Sequence, residues 1–162
     1  MLFSFRSLRV ATTVLALTSL AACSKKDDAT PAATNPEGMS WTVDGNNVTA
    51  ATAVSQATAV PQAMGTTLTV VGSTGSTGAA STIFLNIPKT AGTYTLTSTS
   101  TYSATYAVTP ASGSSQFYDS TAGSIVVSSV TATNIVGTFT FTGATSGGTT
   151  KSISNGKFNV KL

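Results

Sequence analysis

Histidine is missing from all 162 residues, cysteine occurs once, and charged side chains make up only 8% of the chain. Without histidine the chain lacks the commonest general base and the commonest metal ligand. A lone Cys closes no disulfide within the chain and builds no cysteine-based zinc site. Arginine stops at Arg9, and beyond residue 38 the cations are Lys89, Lys151, Lys157 and Lys161. Four scattered lysines make a poor phosphate-binding surface, so a nucleic-acid partner is not expected. Carboxylates are scarcer still: beyond residue 38 only Asp44 and Asp119 remain. No residue set suggests a metal or an organic cofactor, and none is expected. Long apolar runs are absent as well. The longest charge-free apolar stretch near the start, Val10 to Ala22, has 13 residues, whereas a spanning helix needs about 20.

What fills the gap is threonine and serine, together about a third of the chain. Hydrophobic residues stand at 41%, so the low charge does not signal disorder, which needs low hydrophobicity. Threonine is β-branched and sits well on a pleated surface, so the polar residues themselves favour strands.

Arg6 and Arg9 ahead of the apolar run, and small residues at its end, have the layout of a secretory signal peptide over residues 1–22. The run closes in "LAAC", Leu20 to Cys23, which resembles the lipobox of bacterial lipoproteins. That resemblance implies cleavage before Cys23, a diacylglycerol on its thiol and an acylated amine. One acyl chain anchors only marginally, so several chains are what would hold a protein on a membrane. The next residues, "SKKDD", are similar to the export signal of Bacteroidota surface lipoproteins, carried here by Lys26, Asp27 and Asp28. Residues 23–38 then read as a lipidated Cys and flexible linker, with "ATPAATNPEG" proline-rich and free of apolar periodicity.

From Met39 onward a two-residue alternation takes over and helical periodicity is nearly absent. "MSWTVDG" sets Trp41 and Val43 on one face, and its Asp44-Gly45 is a hairpin signal. "STIFLNIP" alternates Ile83, Leu85 and Ile87; "GTYTLTS" alternates Tyr94 and Leu96; "TYSATYAV" alternates Tyr102, Ala104, Tyr106 and Val108. "NIVGTFTFTG" sets Ile135, Phe139 and Phe141 against Val136, Thr138, Thr140 and Thr142. "GKFNVKL" closes the chain with Phe158, Val160 and Leu162. Further strands are expected at Thr66 to Val71 and Ser124 to Val130, with Gly, Ser and Pro clusters between them. Val48 to Met64 is compatible with a strand, a loop or a short helix. Residues 39–162 are therefore expected to form one all-β domain, an antiparallel β-sandwich or flattened β-barrel of about eight short strands.

"MSWTVDG", "GTYTL", "VGTFTFTGA" and "NGKFNV" together resemble a family of Bacteroidota lipoproteins whose domain has no assigned function. The resemblance implies fold and address and brings no catalytic residues.

Chemistry is hard to find. Asp44 and Asp119 would serve a hydrolase only if brought roughly 5 to 10 Å apart, and Asp44 already has a turn to make. "SNGK", Ser154 to Lys157, matches S-x-x-K formally, yet Asn-Gly there reads as a turn or bulge. "GSTGSTG" lacks the Gly-Lys-Ser/Thr of a phosphate loop and reads as a hairpin tip. Alternating threonines, Thr93 to Thr101 and Thr138 to Thr142, suit the solvent face of ordinary strands better than an ice-binding ladder. Phe117 and Tyr118 are adjacent, so on a regular strand one points out; that one is the expected ligand contact. "DST" resembles a Bacteroidota O-glycosylation acceptor, which implies sugar on Ser120, on a loop. The expectation is a lipid-anchored, surface-exposed outer-membrane lipoprotein without enzymatic activity. Its membrane contact is the N-terminal lipid, and its partner an envelope glycan or protein. A structural envelope component is the alternative, with a hydrolase using Asp44 and Asp119 third.

Overall fold

Alternation of apolar and hydroxyl side chains drives every element of the domain, because a strand sends successive side chains to opposite faces. The computed structural model describes residues 36–50, 58–61, 67–75 and 79–162, all within the compact unit Thr34–Leu162. No helix occurs among them. They form ten strands: β1 (Gly38–Val43), β2 (Asn46–Thr49), β3 (Thr58–Pro61), β4 (Thr67–Ser73), β5 (Ala80–Pro88), β6 (Gly92–Thr97), β7 (Ser103–Thr109), β8 (Gln116–Val130), β9 (Asn134–Ala144) and β10 (Thr150–Lys161). The signal segment, Cys23, Lys26, Asp27 and Asp28 lie outside the described residues.

The fold is all-β and antiparallel, as the alternation implies, and of the two expected forms it takes the single curled sheet rather than the sandwich. Its order is β2-β1-β10-β3-β4-β5-β7-β8-β6, with β9 between β8 and β10. The sheet curls so that the path from β10 through β9, β8, β7, β5 and β4 returns through β3 to β10. Every ladder is antiparallel except the last, a single parallel bridge between Lys161 and Thr58. Curling lets one face close over a core that includes Trp41, Leu68, Val70, Ile83, Leu85, Ile87, Leu96, Ile125, Ile135, Ile153, Phe158 and Val160. Two strands exceed the short lengths expected from sequence: β8 has 15 residues and β10 has 12.

Asp44 and Gly45 form the β1–β2 hairpin with φ of 45° and 87°. Positive φ at both central residues is the turn whose twist matches the flanking strands. The open segment Val48 to Met64 contributes strands β2 and β3 where it is described. Elsewhere the expected punctuation moves. Gly72 and Ser73, expected in a hairpin tip, belong to β4, where Gly72 is buried beneath Met39. Tyr102 falls just before β7, and Thr99 and Thr101 fall in the β6–β7 connection rather than in a ladder.

Bulges correct the phase of the alternation. On β10 the register slips between Ile153 and Gly156, so both face the core although their numbers differ in parity. Asn155 takes up the extra residue with φ of 51°, the bulge that Asn-Gly suggested. Ser154 and Lys157 therefore sit in an extended strand, not one helical turn apart. On β8 a slip between Ser120 and Ala122 separates an inward Tyr118 and Ser120 from an inward Ile125 and Val127.

Beside the β10 bulge, two phenylalanines interlock with two glycines. Gly156 pairs with Phe139 and Gly137 with Phe158 across the β9–β10 ladder. A β-carbon on Gly156 would meet the Phe139 ring at 2.5 Å, and one on Gly137 would overlap the Phe158 ring and the Val126 carbonyl. The two rings lie 6.4 Å apart, within the range of attractive aromatic pairing. Overpacking of this kind typically costs 1–3 kcal/mol, about that much being expected for Gly137→Ala or Gly156→Ala. Urea unfolding should show it, with Thr138→Ala on the exposed face of the same strand shifting the midpoint far less.

Candidate functional site

The N-terminal half of β8 decides which polar and aromatic groups reach solvent. It pairs with β7 through Thr105–Asp119, Tyr106–Tyr118, Ala107–Phe117 and Val108–Gln116. Because Tyr118 points into the core, Phe117 and Asp119 must point out. Tyr118 is 3% exposed, stacks at 5.9 Å on Tyr106, and donates its hydroxyl to Gln116 Oε1 at 2.8 Å. Phe117 is 54% exposed. The aromatics of the other strands and turns that the alternation singled out, Trp41, Tyr94, Tyr102 and Tyr106, all belong to the core or pack against it.

Phe117 stands at a cleft of about 410 Å³ lined by Ser115, Gln116, Phe117 and Asp119 on one side and by Thr145, Ser146, Gly147 and Thr149 on the other. The second wall is the β9–β10 connection, tightened by Thr145 N donating to Thr149 O at 2.9 Å and Gly148 N donating to Thr145 O at 3.0 Å. Asp119 is oriented by Thr105, whose Oγ1 donates to Asp119 Oδ1 at 2.8 Å. Ser115 shares a 3.0 Å bond with Thr109. The cleft thus pairs one exposed ring with hydroxyl, amide and carboxylate groups on fixed backbone. Seven of its eight lining residues are polar or glycine, so it is a polar cleft with one ring rather than the mostly apolar pocket of a drug-sized ligand. A second cleft, against Ser124, Val126, Thr138 and Lys157, offers no exposed ring.

The sequence-derived residues separate into those this site unites and those it does not. Phe117 and Asp119 share one face; Tyr118 does not. Ser120 requires correction. It lies within β8 rather than on a loop, is 7% exposed, and its Oγ accepts the Ala104 N–H at 3.1 Å. A buried hydroxyl already bonded to backbone leaves no room for a sugar in the folded domain. Asp119 figures in the sequence analysis only as half of a carboxylate pair and within the "DST" acceptor motif. Its spacing of two from Phe117 was the available signal.

Asp44 and Asp119 do not form a pair. Asp119 aligns with Ala144 on β9, which aligns with Thr150 on β10, and Asp44 lies beyond β10. Three strand spacings of ~4.8 Å put them about 14 Å apart along the sheet. Asp44 is also committed elsewhere: Lys151 Nζ donates to its Oδ2 at 2.6 Å and the Ser152 N–H to its Oδ1 at 3.0 Å. This clamps the β1–β2 turn onto β10. The two threonine runs meet on the outer face instead, as Thr93–Val126–Thr138, Thr95–Ser124–Thr140 and Thr97–Ala122–Thr142.

Residues 43–160 match the model of a domain of unknown function, DUF6252, and the chain belongs to that family. No curated protein and no solved structure matches it.

The Lys151 hydrogen bond, followed by the Ser152 N–H, holds the Asp44 carboxyl below its usual pKa; the same bond holds the Lys151 ammonium above its own. A depressed carboxylate stabilises the fold above its unfolded value, near pH 4, and that stabilisation is lost as pH falls through the folded value. Lys151 acts in mirror image, its contribution being lost only as pH rises through its raised folded value. In thermal melts across pH, Asp44→Asn keeps a residue suited to the turn and should flatten both the acid slope below about pH 4 and the alkaline slope above about pH 10.

Proposed function

We propose that this member of the DUF6252 family is a lipid-anchored binding module of the bacterial outer membrane, displayed at the cell surface and non-catalytic, whose Phe117 cleft takes a saccharide. The anchor rests on the "LAAC" lipobox at Leu20 to Cys23 behind its basic and apolar leader. Surface display rests on Lys26, Asp27 and Asp28 and on the resemblance to Bacteroidota lipoproteins. The binding role is carried by one observation, the exposed ring of Phe117 at the edge of a polar cleft.

Placement along the domain supports the same reading. The chain joins the sheet at Gly38, opposite Asn159 near the end of β10. Asp119 and Ala144 align with Thr150 at the start of β10. On β9, which carries no extra residue here, the same levels are Ala144 and Val136, eight residues apart, about 26 Å at ~3.3 Å per residue. A tether fastened at Gly38 therefore leaves the cleft at the far end of the domain, where an anchored protein meets external polymers. An aromatic face suits the C–H face of a sugar ring, and the surrounding hydroxyl and amide groups suit its edge.

Two measurements test this. Mass spectrometry of the native protein should find a mature chain beginning at acylated Cys23, and Cys23→Ala should move the protein from the membrane to the soluble fraction. A native chain with Met1 in place and an unmodified thiol would refute the anchor. Separately, thermal-shift and calorimetric screening of the full chain against envelope polysaccharides should identify a binder that Phe117→Ala weakens about tenfold to a hundredfold, the worth of one buried aromatic side chain. A binder indifferent to that substitution would refute the cleft.

A further inference from the structure

The charge of the cleft narrows what it can take. Among the described residues lining it, Asp119 is the one ionisable side chain; the others are Ser115, Gln116, Phe117, Thr145, Ser146, Gly147 and Thr149. The cation nearest in sequence is Lys151, and it is turned away. Lys151 aligns with Gly143, whose position faces the core side of β9, and its ammonium is held by Asp44 at 2.6 Å. Nothing described in the cleft therefore balances the carboxylate. One oxygen of Asp119 accepts from Thr105 Oγ1, which leaves the second as the acceptor available to a ligand. Gln116 contributes in the complementary sense. Its Oε1 already accepts the Tyr118 hydroxyl, which leaves the amide NH₂ to donate.

We infer that Asp119 makes the cleft selective for uncharged, hydroxyl-rich saccharides and against acidic ones. This rests on the saccharide-binding reading of the Phe117 cleft given above. A sugar hydroxyl donates to the free carboxylate oxygen, and a charge-assisted bond of that kind is roughly twice as strong as a neutral one. A uronate or sulfate group stacked on Phe117 would bring a second negative charge within a few ångströms of Asp119, with no cation to offset it. Selectivity here is mainly repulsion of the wrong ligand.

The test compares matched oligosaccharide pairs, a neutral β-glucan series against a uronic acid series of equal length, by calorimetry on the full chain. At low ionic strength the neutral member should bind at least about tenfold tighter, the factor expected for like charges meeting at a partly screened surface. Raising salt should close that gap in the wild type, since surface repulsion is screened. Asp119→Asn retains an oxygen to accept from Thr105 and should shrink the neutral-to-acidic ratio and its salt dependence together. Equal affinities within a pair, or a ratio that Asp119→Asn and salt leave unchanged, would overturn charge selection while Phe117→Ala still weakened both interactions. If neither series binds, or if Phe117→Ala binds both like the wild type, the saccharide reading fails together with the selectivity built on it. The salt series on the wild type decides the matter even if a variant fails to fold.

Discussion

The reciprocal fit of Phe139 into Gly156 and Phe158 into Gly137 is the constraint on which the rest of the domain depends. No disulfide braces this sheet, and charge is too sparse to do so. What holds ten strands around one core is close packing, and in close-packed interiors a single methyl group is felt. The two glycines let two rings share a ladder that would otherwise hold only one large side chain per pair. They also hold β9 against β10 in a single register: a slip of one residue would send an apolar set to solvent, and a slip of two would set Phe158 against Phe139.

Bulges then convert that packing into a surface. The slip on β10 keeps Ile153, Gly156, Phe158 and Val160 all inward, and the slip on β8 does the same for Tyr118 and Ile125. A strand without the β8 bulge could not bury both halves; one of them would present its apolar set to water. The consequence for function is local and sharp. With Tyr118 turned in and tied to Gln116, Phe117 and Asp119 have no course but outward, beside the β9–β10 connection. The Asp44–Lys151 clamp belongs to the same end of the sheet. It ties the β1–β2 turn to β10 and holds the Lys151 ammonium away from competition for Asp119.

An arrangement of this kind is what the proposed binding role draws on. An exposed ring and a few polar groups lie at one end of the sheet, and β1 begins at the other. The low charge of the exterior is consistent with that use. A surface of threonine and serine presents hydroxyls without strong fields, so the lone carboxylate of the cleft acts with little interference from neighbours.

Much of this was readable from the chain alone. The all-β class, the Asp44-Gly45 turn, the bulge at Asn155-Gly156 and the inward set on β9 follow from alternation and turn chemistry, which are local properties. The adjacency of Phe117 and Tyr118 announced that one of them would be exposed. Which one was not readable. That depends on the phase of β8, set by a bulge whose position is dictated by strands more than twenty residues away in sequence. For the same reason Ser120 looked like a loop residue and proved to be buried, and Asp44 and Asp119 looked like a possible pair and proved to be separated by β9 and β10. Alternation tells a strand that it has two faces. Only the partners across the ladder, and the shape of the side chains they bring, settle which face is the inside.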